Sequence, residues 1–196
     1  MSISIRPMHA SDVDAVAALH QAAFPGFFLA FLGRRFLREI YRALMTDEEH
    51  IAFVASDGDR IAGFVAGTNS SGFYRRAAKR YWLRFGLASV GALLRKPSIA
   101  ARLVRALYAP PKPATKGALL MALAVDPGMK RSGLGRLLTH QFVEEARHRG
   151  LSAVVLTTDR FDNEAATAFY QSQGFEVARQ YETPEGRAMT EYILHL

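Results

Sequence analysis

An α/β fold, one central mixed sheet flanked by helices, is predicted by three features of this sequence. Apolar runs of strand length alternate with segments whose apolar residues recur at helical spacing. Their order reads β, α, α, β, β, insertion, β, α, β, α, β, β, so one sheet with helices on both faces is the economical arrangement. Almost half of the 196 residues are apolar (49%), enough for one sizeable core, and the length suits a single domain over 1–196.

The first strand spans Ser2–Arg6, and Ser11 or Asp12 caps a helix to about Ala23, with Val13, Val16, Ala17 and Leu19 on one face. Gly33 precedes a second helix striped by Phe36, Leu37, Ile40, Tyr41 and Leu44. His50–Ser56 and Arg60–Gly67 flank Asp57-Gly58-Asp59, a hairpin signal. Residues 73–113 form a helical insertion between the third and fourth strands. Trp82, Leu83, Phe85 and Leu87, then Leu103 and Leu107, mark one or two amphipathic helices, separated by Pro97 and ended by Pro110-Pro111-Lys112-Pro113. Ala118–Val125 is an uninterrupted apolar strand, and Leu134 to Ala146 a helix stopped at Gly150. Leu151–Thr157 is a buried strand, Asn163–Gln173 a helix stopped by Gly174. Phe175–Gln180 and Arg187–Leu194 pair around Thr183-Pro184-Glu185-Gly186.

No cysteine is present, which excludes disulfides, thiolate metal sites and an enzyme-bound thioester. The six histidines show no ligand spacing, and no metal is expected. No apolar run approaches the ~18 residues of a membrane span, and the N-terminus lacks a signal-peptide hydrophobic region. A cytoplasmic protein is the expectation. Of the net charge of +7, the stretch Phe73–Lys112 carries ten Lys/Arg and no Asp or Glu, so the remainder is mildly acidic.

The segment Val125-Asp126-Pro127-Gly128-Met129-Lys130-Arg131-Ser132-Gly133-Leu134-Gly135-Arg136 carries a buried strand through a turn and a Gly-x-Gly step into a helix. Glycine lets a backbone approach a ligand closely, and the first N–H groups of a helix are unpaired and electropositive. The element suits a pyrophosphate, with Lys130, Arg131 and Arg136 adding charge. It lacks the three-glycine dinucleotide fingerprint and the Gly-Lys-Ser/Thr ending of a P-loop. About thirty residues on stands Asn163-Glu164-Ala165-Ala166-Thr167-Ala168-Phe169-Tyr170-Gln171-Ser172-Gln173-Gly174-Phe175.

With both elements in this order, the sequence resembles the GNAT superfamily of N-acetyltransferases. There a strand–(Gln/Arg)-x-x-Gly-x-(Gly/Ala)–helix element binds CoA, and an Asn-x-x-Ala-x-x-(Phe/Leu)-Tyr-x-x-x-Gly-Phe element completes the site. Lys130 departs from the first position: it keeps the charge and loses the planar fork of arginine. The resemblance implies the GNAT acyl-CoA N-acyltransferase fold and acetyl-CoA as cosubstrate. Leu123, Ala124 and Val125 would present backbone groups to the pantetheine arm. Lys130, Arg131, Ser132, Gly133, Leu134, Gly135 and Arg136 would hold the pyrophosphate. Asn163 would bond the pantetheine or the adjoining loop, or serve as a plain helix cap. Tyr170 would place its hydroxyl near the thioester sulfur as general acid, or would simply pack against the sheet.

The implied reaction is attack of a primary amine on the acetyl carbonyl through a tetrahedral oxyanion, which an N–H near Leu123 or Val125 would stabilise. No base stands out: Glu48, Glu49, His50, Asp159, Asp162, Glu191 and a water relay remain open. The acceptor expected first is a small amine such as an amino sugar, with anionic or sugar-linked acceptors included. A protein N-terminus or lysine is an alternative, as is a CoA-sensing or partner-binding module without turnover.

For the basic insertion the readings are a flap over the acceptor groove, a dock for an anionic acceptor, and a peripheral membrane contact through 73–112. Nucleic acid fits less well, because no recognised binding motif accompanies the charge. The run Phe24-Pro25-Gly26-Phe27-Phe28-Leu29 lines the acceptor site or packs in the core. The oligomeric state is open, a dimer included.

Overall fold

The computed structural model describes residues 3–69, 72–97, 100 and 117–196. Its strands are β1 (Ile3–Pro7), β2 (His50–Asp57), β3 (Arg60–Thr68), β4 (Ala118–Val125), β5 (Ala153–Asp159), β6 (Glu176–Glu182) and β7 (Ala188–His195). Its helices are α1 (Val13–Ala23), α2 (Phe28–Leu32), α3 (Arg34–Met45), α4 (Phe73–Arg80), α5 (Trp82–Arg95), α6 (Leu134–His148) and α7 (Glu164–Ser172). The strands form one seven-stranded sheet ordered β1-β2-β3-β4-β5-β7-β6. Among the described strands only β4 and β5 run parallel, and α6 supplies the crossover that such a pair requires.

Two apolar layers sandwich the sheet. On one face α1, α3 and α5 bury Val16, Phe36, Leu37, Leu44 and Phe85 against Val54, Phe64 and Ala66. On the other, Leu134, Leu138 and Phe142 of α6 pack on Ile51, Val65, Leu120 and Leu156. Gly67 of β3 permits this contact: a Cβ there would lie 2.8 Å from the Phe142 ring and 2.1 Å from the Leu119 carbonyl oxygen.

Several expectations are corrected. Asp12 does not cap α1 with its side chain. Its carboxylate accepts from both Arg6 Nη atoms (2.7 and 2.8 Å) and from the His9 amide, tying β1 to the start of α1. Part of the 24–29 run belongs to a short helix, α2, which Gly33 ends at φ 93°. The insertion has a further break at Tyr81, ahead of the expected one at Pro97, where α5 closes at Arg95, and α4 and α5 pack chiefly on α2 and α3. The expected second helix through Leu103 and Leu107, with its proline stop, lies outside the described residues. No described helix is long and apolar enough to cross a membrane.

Candidate active site

The parallel pair β4–β5 is joined only at Ala118–Val154 and Leu119–Val155. Beyond that register the strands separate, whereas β4 stays paired with β3 as far as Val125. A bulge intervenes: Ala66 faces Ala122 while Gly67 faces Leu120, leaving Met121 as the extra residue. Met121 and Ala122 consequently turn to the α1–α3 face together, and Leu123 and Val125 return to the α6 face.

The Asp126 amide donates to the Ala62 carbonyl of β3 at 2.8 Å. Strand alternation then aims the main chain of Ala124 at β3, and that of Leu123 and Val125 at the open edge toward β5. Leu123 and Val125 thus present N–H and C=O groups where β4 has no strand partner. Ala124 does not: its backbone is turned to β3, and its buried side chain joins the α1–α3 layer.

At the end of β4, Asp126 accepts from the Gly128 amide (2.8 Å) and from Arg60 Nη2 (2.5 Å). The Gly128 amide first, and the Arg60 guanidinium second, hold its carboxyl below the usual carboxylate range. This fixes the turn from which the loop departs. Arg131 takes φ 64° and Gly133 φ 82°, an alternation that turns successive amides toward one concavity. The first helical N–H with a backbone acceptor is that of Leu137, to Gly133 O at 3.1 Å. Among the described residues the N–H groups of Lys130, Arg131, Gly133, Leu134, Gly135 and Arg136 have no intramolecular acceptor, and that of Ser132 has a long one, Met129 O at 3.4 Å. Lys130, Arg131 and Arg136 are solvent-exposed around them.

The second element is packed against the first. A Cβ on Gly135 would meet the Phe169 ring at 3.5 Å, so α7 seats directly on the first turn of α6. Next to Phe169, Tyr170 is half-buried among Phe169, Phe175 and Tyr192, with ring centroids at 5.1, 5.6 and 6.2 Å. Desolvation pushes its hydroxyl up to about 12. Among the described residues that hydroxyl has no hydrogen-bond partner, whereas the nearby Tyr192 donates to Thr167 Oγ1 at 3.2 Å. Asn163 stands at the cap position of α7 but makes no side-chain cap bond. Its Nδ2 donates to Thr158 Oγ1 and, at 3.2 Å, to the Asp159 carbonyl, pinning the end of β5 to the start of α7.

The α1–α3 face supplies the other wall. Met121 and Ala122 of the bulge line a cavity of about 20 Å³ together with His20, Leu29, Tyr41 and Tyr74. That is room for about one water molecule. His20 is buried, its Nδ1 2.7 Å from the Tyr41 hydroxyl, and burial lowers its pKa to about 4. Burial also pushes Tyr74 up to about 12 and Tyr41 well above its ordinary value. The sequence carries no signal for this cluster, because His20 and Tyr41 are brought together only by α1–α3 packing. Phe24 stacks edge-on with Phe27 (5.5 Å), and Arg187 lies over Phe27 at 5.7 Å. The 24–27 turn thereby meets the β6–β7 turn.

Of the groups considered as a base, three lie at the far end of β2 and two are engaged by arginines. Glu48, Glu49 and His50 lie at the closed end, where His50 pairs with Thr68 and Thr68 with Leu119. That is four residues, roughly 13 Å, from Leu123. Asp159 is held by Arg187 Nη2 at 2.6 and 2.7 Å, and Glu191 is buried and paired with Arg179 at 3.0 Å. Asp162 is exposed on the loop beyond β5. Among the described residues no cluster of His, Asp and Glu could hold a metal ion.

Comparison with known proteins gives the family and the fold. The profile of the Acetyltransferase (GNAT) family matches residues 13–175. Over 74 residues, 36% of this chain and 49% of the relative, the sequence is 40% identical to the [Ribosomal protein bS18]-alanine N-acetyltransferase of Escherichia coli (strain K12). The chain thus matches about half the length of that relative. It is 47% identical over 55 residues to the mycothiol acetyltransferase of Kocuria rhizophila, 28% of this chain and 18% of that one. The crystal structure of the E. coli ribosomal-protein-S18-alanine N-acetyltransferase superposes with a TM-score of 0.62 at 20% identity, covering 99% of this chain and 94% of that one. The PaiA N-acetyltransferase of Thermoplasma acidophilum, solved in complex with coenzyme A, gives 0.59 at 15% identity over 97% and 98% of the two chains. With its profile matched over most of its length and its fold shared with these structures, the chain belongs to the acetyltransferase (GNAT) family.

Proposed function

We propose that this chain, acting as one domain, is an N-acetyltransferase that moves an acetyl group from acetyl-CoA to a primary amine. The observation that carries the reading is the run of unpaired N–H groups from Lys130 to Arg136, at a helix N-terminus beside the open edge of β4. Such a concavity favours a pyrophosphate, and Lys130, Arg131 and Arg136 supply formal charge. The free backbone groups of Leu123 and Val125 suit the amides of a pantetheine arm laid along the strand as an added one. Asn163 acts by holding the end of β5 against α7.

In this reading the amine attacks the acetyl carbonyl, a tetrahedral oxyanion forms, and the C–S bond breaks to release the thiol. The N–H of Leu123 or Val125 donates to the oxyanion. Tyr170 faces the departing sulfur. Asp159 and Glu191 are engaged by Arg187 and Arg179, and in this reading the amine's proton leaves through water.

The relatives favour an α-amine at a protein N-terminus as acceptor, since the bS18-alanine enzymes are named for one. An amino sugar or other small amine is the second reading, supported by the Phe24–Phe27 pair beside Arg187, which offers flat apolar surface to a ring. Release of CoA thiol from acetyl-CoA should be followed with an alanine-initiated peptide and with a series of amino sugars. Turnover on the peptide alone supports the first acceptor, and turnover on the sugars alone the second. Tight CoA binding without thiol release on either would make the chain a CoA-sensing module.

A further inference from the structure

α5 is apolar on two opposite faces. Phe85, Ser89 and Ala92 point into the core, Phe85 meeting Phe36 at a ring distance of 5.3 Å. Directly opposite, Leu83, Leu87, Val90 and Leu94 fall at i, i+4, i+7 and i+11 on a single outward stripe. Leu87 is 75% exposed and Leu94 79%, and Trp82 is exposed beside the start of the stripe. A helix that is apolar all round is ordinarily covered on all sides. At fourteen residues, about 21 Å, α5 is too short to span a bilayer.

The stripe borders a basic groove. Arg35, Arg38, Arg42 and Arg84 line a shallow depression of about 710 Å³ with Glu39, Leu87 and Ala88. Glu39 pairs with Arg42 at 2.9 Å and with Arg84 at 4.0 Å, and Arg38 with Asp14 at 2.6 Å. The guanidinium groups still outnumber the carboxylates around this groove. From Phe73 to Lys96 there is no acidic residue at all. Leu87 belongs both to the stripe and to the groove.

We infer that the α3–α5 surface docks on an anionic lipid bilayer. The stripe enters the boundary between headgroups and acyl chains, and the arginine groove receives lipid phosphates. Each partner property meets its complement: apolar side chains meet hydrocarbon, and planar guanidinium forks meet phosphate oxygens. A second copy of this chain seated face to face would oppose the same cations with little counter-charge. A nucleic acid would satisfy the arginines and leave four aliphatic side chains in water.

The test is sedimentation of the full chain with phosphatidylcholine vesicles, with and without phosphatidylglycerol. Retention is expected only on the anionic vesicles and falls with added salt. Arg35→Gln with Arg84→Gln should weaken it about 25-fold, at about fivefold per charge. Leu87→Ser with Leu94→Ser should weaken it about tenfold or more. These side chains are exposed, so the thermal midpoint should not move. If it does, Trp82→Ser with Leu83→Ser repeats the measurement at the other end of the stripe. The inference is overturned by equal retention on neutral vesicles, by no retention, or by retention that ignores both pairs of substitutions. It is also overturned if the stripe proves to join two copies in solution, with Leu87→Arg yielding a monomer and no lipid binding in either form.

Discussion

Replacing Tyr170 by phenylalanine isolates what its hydroxyl contributes. The ring contacts with Phe169, Phe175 and Tyr192 survive, and no intramolecular hydrogen bond is lost. A hydroxyl pushed up to about 12 is neutral across every practical assay pH. Handing its proton fully to a thiolate of pKa ~8.5 would be uphill by roughly 3.5 units, about 5 kcal/mol. Tyr170 should therefore stabilise the departing sulfur as a hydrogen-bond donor and not by proton transfer. A bond to a charged acceptor is worth about 1.5–3 kcal/mol, which corresponds to a fall in kcat of about 10- to 150-fold. The assay is thiol release at saturating acetyl-CoA and acceptor, with KM for acetyl-CoA nearly unchanged. The pH–rate profile should show no alkaline limb from this residue below about pH 11. An unaltered kcat, or an alkaline limb near pH 9 that disappears in the phenylalanine variant, would refute the reasoning.

Three further outcomes are expected. His20 has its pKa lowered from 6.5 to about 4, so between these values the unfolded chain takes up a proton that the folded chain refuses. Stability is then undiminished above pH 6.5 and falls by about 3 kcal/mol on acidification to pH 4, a slope that urea unfolding should find and His20→Gln should flatten. Gly67→Ala places a Cβ 2.1 Å from the Leu119 carbonyl oxygen, and its thermal midpoint should drop by an amount equivalent to about 3 kcal/mol. Gly133→Ala forces a side chain into φ 82° at the start of α6. Calorimetric titration should show CoA affinity reduced about five- to thirtyfold, at the 1–2 kcal/mol typical of left-handed strain, with little loss at a control site such as the Asp57–Arg60 hairpin.

Much of this architecture was legible in the sequence because it is locally encoded. Ala118–Val125 is a bounded apolar run, and Asp57-Gly58-Asp59 separates two strands that pair closely. The Gly-x-Gly step and the Asn163–Phe175 element each combine a helix start with characteristic residues. What escaped depends on parity or on distant packing. A continuous apolar strand carries no phase, so nothing in Leu120-Met121-Ala122 announces the bulge. Without the bulge and the Asp126–Ala62 bond, Ala124 could not be told apart from Leu123 and Val125. Five-residue α2 is too short to show periodicity, and Pro25-Gly26 before it reads as loop. The break at Tyr81 has neither proline nor glycine to mark it. Asn163 is different: the sequence leaves open a cap or a bond to the adjoining loop, and its amide goes to Thr158 and Asp159 at the β5–α7 corner.

The central claim is that acetyl leaves acetyl-CoA for an amine at the edge of β4. Mass spectrometry of the products formed by the full chain with isotopically labelled acetyl-CoA, an alanine-initiated peptide and a panel of amino sugars tests it most directly. The account predicts labelled acetyl on the nitrogen of an acceptor in step with CoA released, and a slower yield of the same product from Tyr170→Phe. Saturable CoA binding with no labelled acceptor, or label found only on the protein itself, would contradict it.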